Sequence, residues 1–216
     1  MTVRCGLILS LCFLYFNIFA QQYSYNKWDP VTLEKANTAK SVGYMDQDEK
    51  KVIFYINLAR LNPKLFSETY LQQYIDSLRT NNSLHPDEYS YIVSLQKDLK
   101  SIEKREALLP LKELYESANT LAQGMGEIGG VGHDNYDKRF SKVMKESNSY
   151  KTGEDCDYGY QSPLAIVFHL LIDNGVPDLG HRKNILDKDF THIGVSIKPH
   201  KKYRWNCVID FVGERN

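Results

Sequence analysis

Apolar positions recur at helical spacing over much of the chain and at strand spacing near its end. Val52, Tyr55, Ile56, Leu58 and Ala59 fall on one face of a 3.6-residue period. Asp46 or Asp48 caps that helix, which is predicted to run to about Tyr74 with an interruption at Pro63, because proline disfavours a helical Asn62. Glu88 to Glu106 reads as a charged helix with a solvated face. Leu111, Leu114, Ala118, Leu121, Ala122 and Met125 form the clearest amphipathic stripe, with Pro110 at its start and the glycines of "GEIGGVGHD" at its end. Ser162-Pro163 opens another helix that ends by Gly175. The period then drops to two. Ile193, Val195 and Ile197 alternate in "HIGVSIKP", and Trp205, Cys207, Ile209 and Phe211 alternate in "YRWNCVIDFV", with "HKKY" as the hairpin link. A third strand is expected near "YKTGEDCDYGY", and a short helix within "PVTLEKANTAKSVGYM". The order of elements predicts an α+β chain whose helices cover a small sheet.

The first twenty residues break the pattern. "MTVRCGLILSLCFLYFNIFA" has a basic start, an apolar run too short to span a membrane and a cleavage position after Ala20. Residues 1–20 are therefore read as a secretory signal peptide, 21–45 as an N-terminal extension and 46–216 as the domain. The mature protein is expected to be secreted, to the extracellular space or the periplasm, with no transmembrane segment. Signal cleavage leaves two cysteines, Cys156 and Cys207. In an oxidising compartment they can pair, and a Cys156–Cys207 disulfide is the expectation, with two free thiols as the alternative. The charge is balanced, with 27 basic and 27 acidic residues, and gives no basis for nucleic-acid binding.

The chemistry rests on histidine and carboxylate. His85 and His200 are read as solvent-exposed, and His169 and His192 as structural. His133 in "GVGHD" and His181 in "DLGHR" each follow a glycine, which lets a side chain project into a cleft. Glu154 in "TGED" and Asp173 are the acids placed to join them. Together these residues suit a metal site or a general acid/base site. No HExxH pattern, GxSxG elbow or P-loop is present.

The segments "INLARLNP", "SANTLAQGMGEIGGVGHD", "TGED", "DNGVPDLGHRKNIL", "HIGVSI" and "CVIDF", in that order, resemble the CAP superfamily of cysteine-rich secretory, antigen-five and plant pathogenesis-related proteins. They are similar in particular to its secreted bacterial branch. The resemblance covers about residues 46–213. It implies an α-β-α sandwich with a three-stranded antiparallel sheet between helical layers. It also implies a cleft lined by His133, Glu154, Asp173 and His181, which would hold zinc or another divalent cation through His133 and His181. Three departures stand out: "GED" in place of the family's "GEN", Asp173 where many members have Glu, and the absence of the eukaryotic members' several disulfides. The resemblance favours a non-enzymatic binding module, with a lipid, a sterol or an extracellular protein as partner. The alternatives are a metal-dependent or His/Glu peptidase-like hydrolase, in which the same four residues would be catalytic, and a structural cell-envelope protein.

Overall fold

The computed structural model describes residues 25–214; the signal-peptide reading of residues 1–20 falls outside them. Helix α1 (Pro30–Ala36) starts at Asp29, whose carboxylate accepts the Thr32 N–H. Helix α2 (Gln47–Leu61) starts at a reciprocal cap: Asp46 accepts from Asp48 and Glu49, and the Glu49 carboxylate accepts the Asp46 N–H. The other Glu49 oxygen accepts the N–H of Ile197 at 3.0 Å, so one buried side chain both starts the helix and ties it to the sheet. Pro63 ends α2 as predicted. The chain restarts as α3 (Pro63–Phe66), widens through a π-helical turn (Ser67–Leu71) and continues as α4 (Gln72–Thr80). Helix α5 (Pro86–Ser101) buries Ile92, Leu95 and Leu99. A two-residue strand β1 (Leu109–Pro110) then precedes α6 (Lys112–Ile128). Pro110 is thus a strand residue rather than the first of the helix.

Gly129, at φ 73°, stops α6. Helix α7 (Tyr136–Glu146) follows, in a stretch for which the sequence pattern predicts no element; it buries just Phe140 and Val143. Strand β2 (Ser149–Tyr158), α8 (Pro163–Ile172), α9 (Gly180–Leu186), β3 (His192–His200) and β4 (Arg204–Glu214) complete the chain.

The sheet order is β1-β3-β4-β2. Strands β3, β4 and β2 are antiparallel, and β1 adds a short parallel edge beside β3. The architecture is α+β, with four strands where three were expected. One sheet face, with Ile193, Val195, Ile197, Cys207, Ile209 and Phe211, packs in the main core with residues of α2, α5 and α8. The opposite face, with Val208 and Val212, meets α6 and α7. Close approach of α6 depends on Gly194: a Cβ there would lie 2.2 Å from the Leu114 carbonyl carbon and the Tyr115 nitrogen.

Buried polar groups lock the layers together. Asn57 donates to the Ala36 and Leu108 carbonyls and accepts from Leu108. Arg60, 1% exposed, donates to the carbonyls of Glu106, Ile185, Asp187 and Phe190. These two residues of "INLARLNP" are therefore the scaffold's polar centre.

Candidate functional site

Alternation along β2 decides where each site residue goes, because successive side chains point to opposite faces. Glu154 and Cys156 face α6 and α7, opposite Asp210 and Val208 in register. Asp155 and Asp157 face α8 and α9.

On the α6–α7 side, the loop after α6 turns at Gly132, whose φ of 119° favours glycine. The Gly132 N–H is fixed by the Tyr158 hydroxyl at 2.9 Å. His133 follows, and its Nδ1 meets Glu154 Oε1 at 2.8 Å. The Glu154 carboxylate is buried while the imidazole is half exposed. Arg139 of α7 reaches Glu154 Oε2 at 2.6 Å and Asp210 at 3.5 Å. Burial pushes Glu154 up, but hydrogen bonding from His133 and Arg139 outweighs it and holds the carboxyl below the usual glutamate value. Asp210, fully buried across the strand pair, is driven well above the usual range by desolvation and by Glu154. The Cys156 sulfur lies 3.7 Å from His133 Nδ1. Burial, then Glu154, pushes its thiol well up.

On the α8–α9 side, Asp173 ends α8 in the left-handed conformation (φ 60°). Its carboxylate accepts the N–H groups of His181 and Arg182 at 3.0 and 3.2 Å and meets His181 Nδ1 at 2.7 Å. That hydrogen bond raises the His181 pKa. Behind it, Arg182 is 2% exposed. It donates to the Leu171, Ile172 and Tyr91 carbonyls and to Ser94 and Asp98. Arg182 therefore supports the loop from within, and Asp187 pairs with Lys151. His169 Nδ1 makes a short contact with buried Asp157, and Tyr160 lies against its ring at 5.0 Å.

The predicted four residues thus form two His–acid pairs, His133–Glu154 and His181–Asp173. Sequence reasoning had passed over a third pair, His169–Asp157. Among the described residues, the set of three donors compact enough for one ion is His133, Glu154 and Cys156, with one ligand atom from each within 4.8 Å of the others. His181 and Asp173 are not part of it.

Two expectations are corrected. Cys156 and Cys207 are free thiols. Cys156 stands opposite Val208, and Cys207 opposite Asp157, so their side chains lie on opposite sheet faces and no bridge spans them. His200 is 3% exposed, not solvated. It contacts the Gly130 carbonyl at 2.7 Å and accepts from the Lys202 and Tyr203 N–H groups, closing the hairpin.

A groove of about 760 Å³ runs between α6 and α7. Leu121, Met125, Val143 and the Arg139 side chain line it, with Lys138 and Lys142 on its walls.

The profile of the cysteine-rich secretory protein family, CAP, matches residues 103–211. The uncharacterized protein YkwD of Bacillus subtilis is 34% identical over 98 residues, which is 43% of this chain and 36% of that protein. This chain therefore spans about a third of that relative's length. Among solved structures, an outer surface protein from Borrelia burgdorferi aligns with a TM-score of 0.43 and 21% identity, covering 59% of this chain and 90% of that one. A cysteine-rich secretory protein from Staphylococcus aureus aligns with a TM-score of 0.38 and 14% identity, covering 58% of this chain and 38% of that one. The match over half of the sequence, carrying "GVGHD", "TGED" and "DLGHR" in order, places the chain in the CAP family of cysteine-rich secretory proteins.

Proposed function

We propose that this protein is a secreted binding module that uses the His/acid-lined surfaces flanking β2 without catalytic turnover. One observation carries the reading. Three imidazoles, His133, His169 and His181, each engage a buried carboxylate through Nδ1, which leaves Nε2 directed away from the carboxylate. A carboxylate behind the ring fixes its tautomer and raises its basicity, the usual support for a ligating histidine. A divalent cation such as zinc fits the chemistry at His133, with His181 as the second imidazole that the family resemblance suggests. When bound, the ion would supply charge for an anionic or carbonyl-bearing ligand. Neither thiol is activated as a nucleophile, because desolvation pushes both Cys156 and Cys207 well above the ordinary value. No helix of the described residues is long and apolar enough to cross a membrane.

The α6–α7 groove supports a lipid or sterol as the organic partner. Its volume falls within the roughly 300–1,000 Å³ typical of ligand pockets, and it pairs an apolar floor with a few charged groups. Metal content of the purified protein, measured beside its His133→Ala and His181→Ala variants, tests the metal part. A broad peptidase and esterase screen tests the absence of turnover. Metal lost in the His133 variant, with no hydrolysis by any form, is the expected result. Metal-dependent hydrolysis that disappears with His133 would replace the binding module with the hydrolase reading.

A further inference from the structure

We infer that His133, Glu154 and Cys156 form one thiophilic metal site, completed by a thiolate rather than by a second histidine. The inference rests on the binding-module reading only for the side of β2 that is used, and it replaces that reading's ligating atom at His133: Nδ1 turns from its hydrogen bond to the cation, and Glu154 becomes a co-ligand instead of the carboxylate behind the ring.

The geometry carries it. With Zn–N near 2.0 Å and Zn–S near 2.3 Å, tetrahedral zinc places its N and S donors about 3.5 Å apart, and its N and O donors about 3.3 Å apart. His133 Nδ1 lies 3.7 Å from Cys156 Sγ and 2.8 Å from Glu154 Oε1. The His–Glu distance has to open by about half an ångström, and one ligand atom of each of the three residues already lies within 4.8 Å of the others. That movement is available because His133 sits on a loop with its ring half exposed, while Glu154 and Cys156 are fixed two residues apart on one strand face.

The carboxylate is also divided correctly. Arg139 occupies the Oε2 side of Glu154 at 2.6 Å and leaves Oε1 toward His133. A ligating carboxylate braced from behind by a cation is a familiar outer-sphere arrangement. The donor set of one imidazole, one carboxylate oxygen and one sulfur suits zinc or cobalt. It does not suit magnesium or calcium, which require six or more oxygens. Binding breaks the Cys156 S–H bond. The sulfur lone pair goes to the cation, the proton leaves to solvent, and a water fills the fourth position. Cys207, on the other face, contributes nothing.

Cobalt(II) titration of the intact protein tests the site, because a thiolate ligand produces a ligand-to-metal charge-transfer band in the near ultraviolet. One equivalent of cobalt should develop that band, zinc should erase it and magnesium should not. Cys156→Ser should abolish the band and weaken cobalt binding at least about tenfold, His133→Ala should abolish it, and His181→Ala should leave it intact. Cys156→Ala, compatible with packing against Ala118 and Val208, serves if the serine variant does not fold. In a second readout, zinc should protect Cys156 from alkylation, as located by mass spectrometry. Cobalt bound without the band, and lost in both histidine variants, overturns the thiolate site while leaving the His133–His181 module intact. No uptake of cobalt or zinc overturns the site as well. Turnover in the hydrolase screen would overturn the module reading separately.

Discussion

At the scale of single residues, Asp155 gives the sharpest forecast. It is fully buried on the α8–α9 face of β2, accepts from Asn184 Nδ2 at 2.7 Å and leaves its other oxygen without a partner. His181, Asp173 and Glu154 are the charged groups around it. Desolvation pushes its pKa up to about 8. The folded state therefore binds a proton that the unfolded chain has released, so this residue's effect on stability is least harmful below the usual aspartate value. It becomes progressively more destabilising from about pH 4 to pH 8. Asp155→Asn keeps the acceptor for Asn184 and cannot titrate. It should flatten the fall in stability across that window, with a gain at pH 8 on the order of a few kcal/mol relative to its effect at pH 4. Urea denaturation at both ends of the window measures this, and parallel curves for variant and parent would show that Asp155 ionises freely. His133, His181, Glu154 and Asp173 were legible in the sequence because motif order singled them out. His169–Asp157 was not, since a histidine inside an apolar helix gives no sign of the strand carboxylate it meets. Cys156 was visible as a cysteine but not as a partner of His133, because only the strand register puts it on the Glu154 face.

At the scale of elements, helix α6 and strand β3 meet through a glycine. The chain was legible here in one respect: the apolar stripe from Leu111 to Met125 predicted which side of α6 is buried, and Leu114, Ala118, Leu121, Ala122 and Met125 are buried as expected, while Leu111, just before the helix, is only partly buried. Gly194 reads only as a gap in the alternation of β3, yet it sets the distance between helix and sheet. A methyl group at 194 would strike main-chain atoms of Leu114 and Tyr115 at 2.2 Å, and main chain cannot rotate away as a side chain does. Gly194→Ala should therefore lower stability by about 2 kcal/mol or more, the scale of overpacking in a filled core. Because α6 leads directly into the His133 loop, it should also weaken cobalt binding at His133. Chemical denaturation and the cobalt titration measure the two effects, and an unchanged midpoint would mean that α6 shifts without cost. Helix α7 escaped sequence reading for the opposite reason. It is amphipathic but buries only two residues, so its polar composition resembled a loop.

At the scale of the whole molecule, the family match begins at residue 103, but the hydrophobic core does not. Trp28, Ala36, Ala39 and Met45 belong to the same buried cluster as Ile193, Ile209 and Phe211. A hydrogen bond crosses that boundary as well, Thr38 Oγ1 donating to the Leu108 carbonyl at 2.8 Å, and Trp28 Nε1 ties the same early segment to Thr69 Oγ1 at 3.3 Å. The segment before α2, read from sequence as a weakly patterned extension, is thus packed into the core. Its apolar residues are too widely spaced to show a period, which is why the pattern did not reveal how deeply they are buried. Removing residues 25–44 exposes the surfaces that Trp28, Ala36 and Ala39 cover and leaves Asn57 without its Ala36 acceptor. The loss should be about 3–6 kcal/mol, since fully burying a single large apolar side chain contributes roughly 1.5–3 kcal/mol and the hydrogen bonds Asn57 loses to Ala36 and Thr38 add to the cost. The shortened protein should therefore unfold at a clearly lower urea midpoint than the protein that retains the segment. The effect on the His133 side should be smaller, because α6, α7 and β2 meet on the other face of the sheet. A midpoint unchanged by the deletion would mean that these contacts contribute nothing to stability and that the fold closes at α2.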